Sequence, residues 1–164
     1  MADYRAPVKD MLFAIRELAD LDAVSQIPGF EEATPDLVEA VLEEAGQLAN
    51  EVIAPTNVIG DAKGTRVVDG QVEVPEEFKA AYAAFAEGGW PGISMDPEYG
   101  GQGLPLLVSL SVDEMMQSAN LAWSLCAMLT HGAIHAIELH ASDEIKKTYL
   151  ENMVSGNWTG TMNL

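Results

Sequence analysis

Thr34-Pro35-Asp36-Leu37-Val38-Glu39-Ala40-Val41-Leu42-Glu43-Glu44-Ala45-Gly46-Gln47-Leu48-Ala49-Asn50-Glu51-Val52 is the stretch on which the fold class turns. Thr34 has the side chain of an N-cap, because its hydroxyl accepts a hydrogen bond from a free amide of the first turn. Pro35 follows at the first helical position, where its missing N–H costs nothing. Asp36 suits the positive end of the helix dipole. Leu37, Val38, Val41, Leu42, Ala45, Leu48 and Val52 then recur at helical spacing for about five turns. Pro55 is expected to end this helix, since a proline pushes the residue before it, Ala54, out of the α region.

Toward the amino terminus, Met11, Leu12, Ile15, Leu18 and Leu21 give residues 8–21 the pattern of a short amphipathic helix, with Asp10, Arg16, Glu17 and Asp20 on its other face. Residues 25–32, centred on Pro28 and Gly29, read as a linker that lets this first helix dock separately. Toward the carboxy terminus, Val67-Val68-Asp69-Gly70-Gln71-Val72-Glu73-Val74 carries the Asp-Gly signature of a tight hairpin. A lone hairpin is marginally stable, so it is expected to lean on the helices. Residues 75–87 return to helix with Phe78, Tyr82 and Phe85 on one side, and Gly88-Gly89 stops it.

Residues 90–105, rich in glycine and proline, predict a long ordered loop. Two apolar helices follow over 106–119 and 121–139, with Asn120 as the cap between them. The second carries Leu121, Trp123, Leu125, Met128, Leu129, Ile134 and Ile137 on several faces, as a central buried helix would. Ser142 opens the last helix, Asp143 and Glu144 lie in its first turn, and Ile145, Tyr149, Leu150, Met153 and Val154 form its buried side. Gly156 closes it. Residues 158–164 switch to a period of two and read as a strand. Nothing earlier supplies a substantial sheet to receive that strand, so the chain is expected to be truncated or proteolysed. The fold class is all-α: a helical bundle with a small hairpin and a carboxy-terminal strand cut off from a sheet.

The 164 residues are 48% apolar, enough for one buried core. Eight Lys and Arg face 26 Asp and Glu, a formal charge of −18. Such a surface repels phosphate backbones and anionic lipid, which argues against nucleic acid and membrane partners. If the chain helps to bind an anionic ligand, the basic residues that hold it lie elsewhere. Cys126 is the single cysteine and sits in an apolar helical stretch, so a buried, inert thiol in a reducing compartment is expected. No apolar run reaches the roughly 18 residues of a membrane span and no basic leader opens the chain, so the expected location is cytoplasmic.

Independent chemical motifs are weak. Gly100-Gly101-Gln102-Gly103 is followed by no Lys-Ser or Lys-Thr pair and lacks the third glycine of a dinucleotide fingerprint, so structural turns are expected. His131 and His135 stand four apart on a helix with Glu138 beyond them, a spacing that would let both rings face one metal. Neither has the glutamate partner of a zinc-protease or di-iron motif, and a packed or solvent-facing pair is the simpler reading. No metal ligand is therefore assigned. Ser118, Ser124 and Cys126 have no local histidine and acid partners.

Three segments in order resemble the acyl-CoA dehydrogenase family: Asp96-Pro97-Glu98-Tyr99-Gly100-Gly101-Gln102-Gly103, Ser142-Asp143-Glu144-Ile145-Lys146-Lys147-Thr148-Tyr149-Leu150 and Gly156-Asn157-Trp158-Thr159-Gly160-Thr161-Met162-Asn163-Leu164. The opening Tyr4-Arg5-Ala6-Pro7-Val8-Lys9-Asp10-Met11 is similar to the amino-terminal extension of larger bacterial members, including those similar to methylthiopropanoyl-CoA dehydrogenase.

The resemblance implies an extension and linker over 1–33, the helical amino-terminal domain over 34–156, and the first strand of a middle β-domain over 157–164. It implies FAD as cofactor, with Met162 and Leu164 as flavin-contact candidates just before a Thr-Glu-Pro turn. Leu125, Met128 and Gly132 are the candidates for one wall of the acyl pocket. The implied reaction oxidises an acyl-CoA thioester to the trans-2-enoyl-CoA and passes electrons to an electron-transferring flavoprotein. The intact enzyme is expected to be a homo-oligomer. The glutamate base belongs to a later part, so no catalytic residue is assigned here and the fragment is expected to be inactive alone. A non-catalytic acidic helical adaptor and a helical metal-binding protein are the alternatives.

Overall fold

The computed structural model describes residues 4–161. Helix α1 (Val8–Phe13) runs into a π-helical stretch, Ala14–Leu18, and α2 (Leu21–Val24) follows. The single helix expected over 8–21 is thus broken. Asp20 takes a left-handed conformation at φ 54°, and its carboxylate accepts the Ala23 amide at 3.1 Å to cap α2. Met11, Leu12, Ile15 and Leu21 are buried, whereas Leu18 is exposed. These four join the main core cluster, so this segment shares the core rather than docking apart. Gly46 permits the approach: a Cβ there would stand 2.8 Å from Val8 Cγ2.

Helix α3 (Pro35–Leu48) begins as its sequence dictates, with Thr34 Oγ1 accepting the Leu37 amide at 3.3 Å and Val38, Leu42 and Ala45 fully buried. Pro55 does not end the helical path. A π-helical stretch, Ala49–Ile53, follows α3 and leads into α4 (Ala54–Lys63), with Pro55 in its first turn. Ala54 remains right-handed at φ −57° and ψ −40°. The wider turn places the proline at the start of a new segment, where neither its missing amide nor its ring is penalised as in a helix interior.

Strands β1 (Arg66–Val68) and β2 (Gln71–Glu73) pair antiparallel, Val67 opposite Val72. Asp69 and Gly70 both have positive φ, the turn that matches strand twist. Contrary to expectation the hairpin does not lean on the helices: both strands are exposed throughout. Helix α5 (Glu76–Glu87) buries Ala81 and Phe85. The 90–105 segment is an ordered loop with short 3-10 turns at Trp90–Gly92 and Pro97–Tyr99. The amides of Gln102, Gly103 and Leu104 donate to the carbonyls of Gly92, Met95 and Ile93, folding the loop on itself. A Cβ on Gly101 would overlap the Met95 carbonyl, so this glycine is required by close backbone approach.

Helices α6 (Leu106–Ala119) and α7 (Leu121–His140) meet at Asn120, and α8 (Asp143–Val154) closes the bundle. Asn120 Oδ1 accepts the Trp123 amide at 3.1 Å. Its Nδ2 donates to Thr56 Oγ1 at 2.8 Å, and that hydroxyl donates to the Ile53 carbonyl at 2.6 Å. One buried amide therefore caps α7 and ties it to the end of the π-helical stretch. Trp123 adds an edge-on contact with Phe85 at 5.4 Å and donates Nε1 to the Phe78 carbonyl. Two hydrophobic clusters result. The larger joins α1, α3, α5, α6 and the first half of α7; the smaller places Met95 and Ile134 with Leu150, Met153 and Val154 of α8.

Gly156 turns the chain at φ 78° after α8. The strand expected over 158–164 is not formed in its described part: residues 158–161 pair with no strand, because the surfaces available to them are helices. Residues 162–164 lie outside the described residues.

Asn120→Ala removes the α7 cap and leaves the buried Trp123 amide without a partner, so the expected loss is about 2–3 kcal/mol. Urea unfolding of the two proteins measures it; a difference under about 0.5 kcal/mol would contradict the Asn120 bridge.

Candidate functional site

Helix α7 positions the candidate residues. Leu125, Met128 and Gly132 follow one another at helical spacing and fall on one stripe. The helix is not buried all round as its composition suggested. Leu125 and Met128 are each 42% exposed, Leu121 57% and Leu139 72%, while Trp123, Ala127, Thr130 and Ile134 on the opposite side are buried. Leu106 and Leu110 of α6 are exposed too, extending the apolar surface across the neighbouring helix. An open groove of about 740 Å³ between α6 and α7 has Leu110, Met128, Asp113 and Glu114 along it. The acids there disfavour a phosphate, and Leu110 and Met128 are its apolar members beside Gln117 and Ser118.

On the other side of α7, a smaller groove of about 390 Å³ is lined by Phe78, Tyr82, Trp123, Cys126 and Thr159. Burial pushes the Tyr82 hydroxyl up to about 12, with a smaller contribution from the nearby Cys126. That hydroxyl donates to the Gly156 carbonyl at 3.2 Å. Cys126 corrects the sequence reading: the residue is exposed, since α7 is open to solvent on this side. Desolvation within the groove nevertheless raises its thiol above the ordinary value, opposed by the nearby Thr159 hydroxyl. A raised thiol carries little thiolate at neutral pH and is a poor nucleophile.

The two histidines take different partners. His131 is largely inward, Nδ1 at 3.8 Å from Asp113 Oδ2 of α6, while His135 is half exposed with Nδ1 at 3.6 Å from Glu138 Oε2. Among the described residues no group of three or more His, Cys, Asp or Glu is placed to hold a metal ion. The Gly100, Gly101 and Gly103 cluster is spent on the loop's internal turns. Met162 and Leu164 lie outside the described residues. Thr130 was missed by sequence reasoning. It is a buried polar residue in an apolar helix, and its Oγ1 accepts the Gly160 amide at 3.1 Å.

The model of the acyl-CoA dehydrogenase N-terminal domain matches residues 35–157, so this chain belongs to the acyl-CoA dehydrogenase family. It is 42% identical over 161 residues to 3-methylmercaptopropionyl-CoA dehydrogenase of Ruegeria pomeroyi, covering 98% of this chain and 27% of that protein. It is 30% identical over 166 residues to a butyryl-CoA dehydrogenase of Syntrophomonas wolfei, covering 99% of this chain and 27% of that protein. A broad-specificity linear acyl-CoA dehydrogenase of Mycobacterium tuberculosis is 30% identical over 167 residues, covering 99% of this chain and 26% of that protein. The chain thus spans about a quarter of the length of these relatives. No helix among the described residues is long and apolar enough to cross a membrane.

The raised Cys126 thiol predicts slow alkylation by iodoacetamide at neutral pH, with the rate climbing only through the alkaline range. Thr159→Val removes the hydroxyl that favours the thiolate and shifts this profile further upward. A profile centred near neutrality would contradict the groove environment.

Proposed function

We propose that this chain is the amino-terminal part of an FAD-dependent acyl-CoA dehydrogenase that oxidises an acyl-CoA thioester to the trans-2-enoyl-CoA. Residues 1–33 are the extension and linker, 34–156 the helical domain and 157–164 the stretch that would enter the first strand of a middle domain once the rest of that sheet is present. The single observation that carries this reading is the outward apolar stripe of Leu121, Leu125 and Met128 on α7, continued by Gly132. A helix packed on one side that still presents leucine and methionine on the other is built to be covered.

The whole reaction forms a double bond: a base takes the proton from the carbon beside the thioester, and the next carbon gives up a hydride. FAD supplies the hydride acceptor when bound. Among the described residues nothing is arranged to hold its diphosphate, and the charge of −18 opposes one. This chain's proposed share is narrower. Leu125 and Met128 exclude water from the acyl tail, and Gly132 leaves room beside them. Such a wall asks no hydrogen bond of its ligand, which suits a fatty or thioether tail. The name of the Ruegeria relative makes a thioether acyl group the first substrate to test.

Met162 and Leu164 are proposed to touch the flavin. The base is supplied by a later part, so this fragment is inactive alone. The intact enzyme works in the cytoplasm as a homo-oligomer and hands electrons to an electron-transferring flavoprotein.

The full-length protein is expected to be yellow and to bleach when its acyl-CoA is added anaerobically; a protein that takes up no flavin would sink the reading. Gly132→Val in that protein adds an isopropyl group to the proposed wall, and overpacking of this kind costs about 1–3 kcal/mol. The specificity constant kcat/KM should fall about tenfold more for long acyl-CoA substrates than for the shortest. An equal effect at every chain length would remove Gly132 from the pocket.

A further inference from the structure

The tail that follows α8 is not loosely attached. Residues 158–160 each meet a separate anchor. The Trp158 amide donates to the Asn152 carbonyl at 2.9 Å, and its ring packs edge-on against Tyr149. Thr159 faces Cys126 across the smaller groove. The Gly160 amide donates to Thr130 Oγ1 at 3.1 Å.

Thr130 is 1% exposed, and its hydroxyl has one proton, which goes to the Cys126 carbonyl at 2.7 Å. The oxygen lone pairs are then free to accept the Gly160 amide, so the geometry leaves the 3.4 Å contact with the Gly160 carbonyl as proximity only. Gly160 is required for this approach: a Cβ there would stand 2.7 Å from Ala133 Cβ and 2.8 Å from Met153 Cε. A glycine and a buried hydroxyl together seat the tail backbone directly on α7.

We propose that Thr130 is a positioning residue: through the Gly160 amide it fixes where the chain leaves the bundle relative to the apolar stripe carried by the same helix. The inference rests on the functional reading above, in which the chain beyond Gly160 leads to the flavin and the stripe meets the acyl tail. Gly160 is thus held on one side of α7 while the stripe lies on the other, and Thr130 is the joint between helix and departing chain.

Hydrogen exchange and kinetics on the full-length protein test it. The parent's Gly160 amide should exchange at least about tenfold more slowly than an unprotected amide. Thr130→Val keeps the side-chain shape without the hydroxyl. It should abolish that protection and lower kcat about tenfold, leaving KM for the acyl-CoA within about twofold, because an interaction that only orders reacting parts is felt in turnover. Thr130→Ser should restore both. An unprotected Gly160 amide in the parent overturns the proposal even if Thr130→Val fails to fold. So does a Thr130→Val protein with lost protection and unchanged kcat, or a Thr130→Ser protein that rescues neither. A parent that takes up no flavin instead overturns the functional reading; a yellow parent with an indifferent Thr130 overturns only this inference.

Discussion

Burial of one side of α7 in two hydrophobic clusters at once is the constraint on which the rest of the structure depends. Trp123 and Ala127 belong to the larger cluster and Ile134 to the smaller, so a single helix joins the α3, α5 and α6 packing to that of α8. The Asn120 amide fixes the start of that helix against Thr56, which ties it to the π-helical stretch before α4. With that side committed to the core, Leu121, Leu125 and Met128 must face outward. An apolar stripe so rigidly supported is a preformed surface, and preformation lowers the ordering cost of whatever covers it.

Electrostatics divide the labour further. The formal charge is −18, and Arg16, Lys63 and Lys79 among the cations are engaged by Glu39, Glu77 and Glu76 at the surface. Such exposed pairs contribute little stability. Their effect is to leave few cations for a phosphate, while Asp113 and Glu114 stand beside the α6 and α7 groove. The chain belongs to the acyl-CoA dehydrogenase family and spans about a quarter of the length of the curated relatives it matches; the acyl wall proposed for it calls for apolar shape rather than for cations.

Local chemistry made much of the fold legible. Thr34, Pro35 and Asp36 marked the start of α3, Asp69-Gly70 marked the hairpin turn, and Asn120 marked the cap of α7, because each satisfies its backbone with its own side chain or φ. Tertiary effects were not legible. Pro55 was misread because a π-helical stretch absorbed its penalty. Asp20 was misread because a helical pattern does not reveal a left-handed break. Cys126 was misread as buried because its neighbours are apolar, although the helix exposes that side. The alternating pattern at 158–161 met helices rather than a strand. Of the candidate site, Leu125, Met128 and Gly132 came from the family resemblance, and the exposure of Leu125 and Met128 was not legible, since composition cannot say which apolar face stays uncovered. Thr130 escaped because a threonine within a helix gives no sign of the distant amide it receives.

Photolabelling of the full-length protein with an acyl-CoA carrying a diazirine at the end of its acyl chain tests the acyl-wall assignment most directly. Labels mapped by mass spectrometry should concentrate on residues 125–132 of α7. Efficient labelling that leaves α7 unmarked and falls elsewhere in the protein would contradict it.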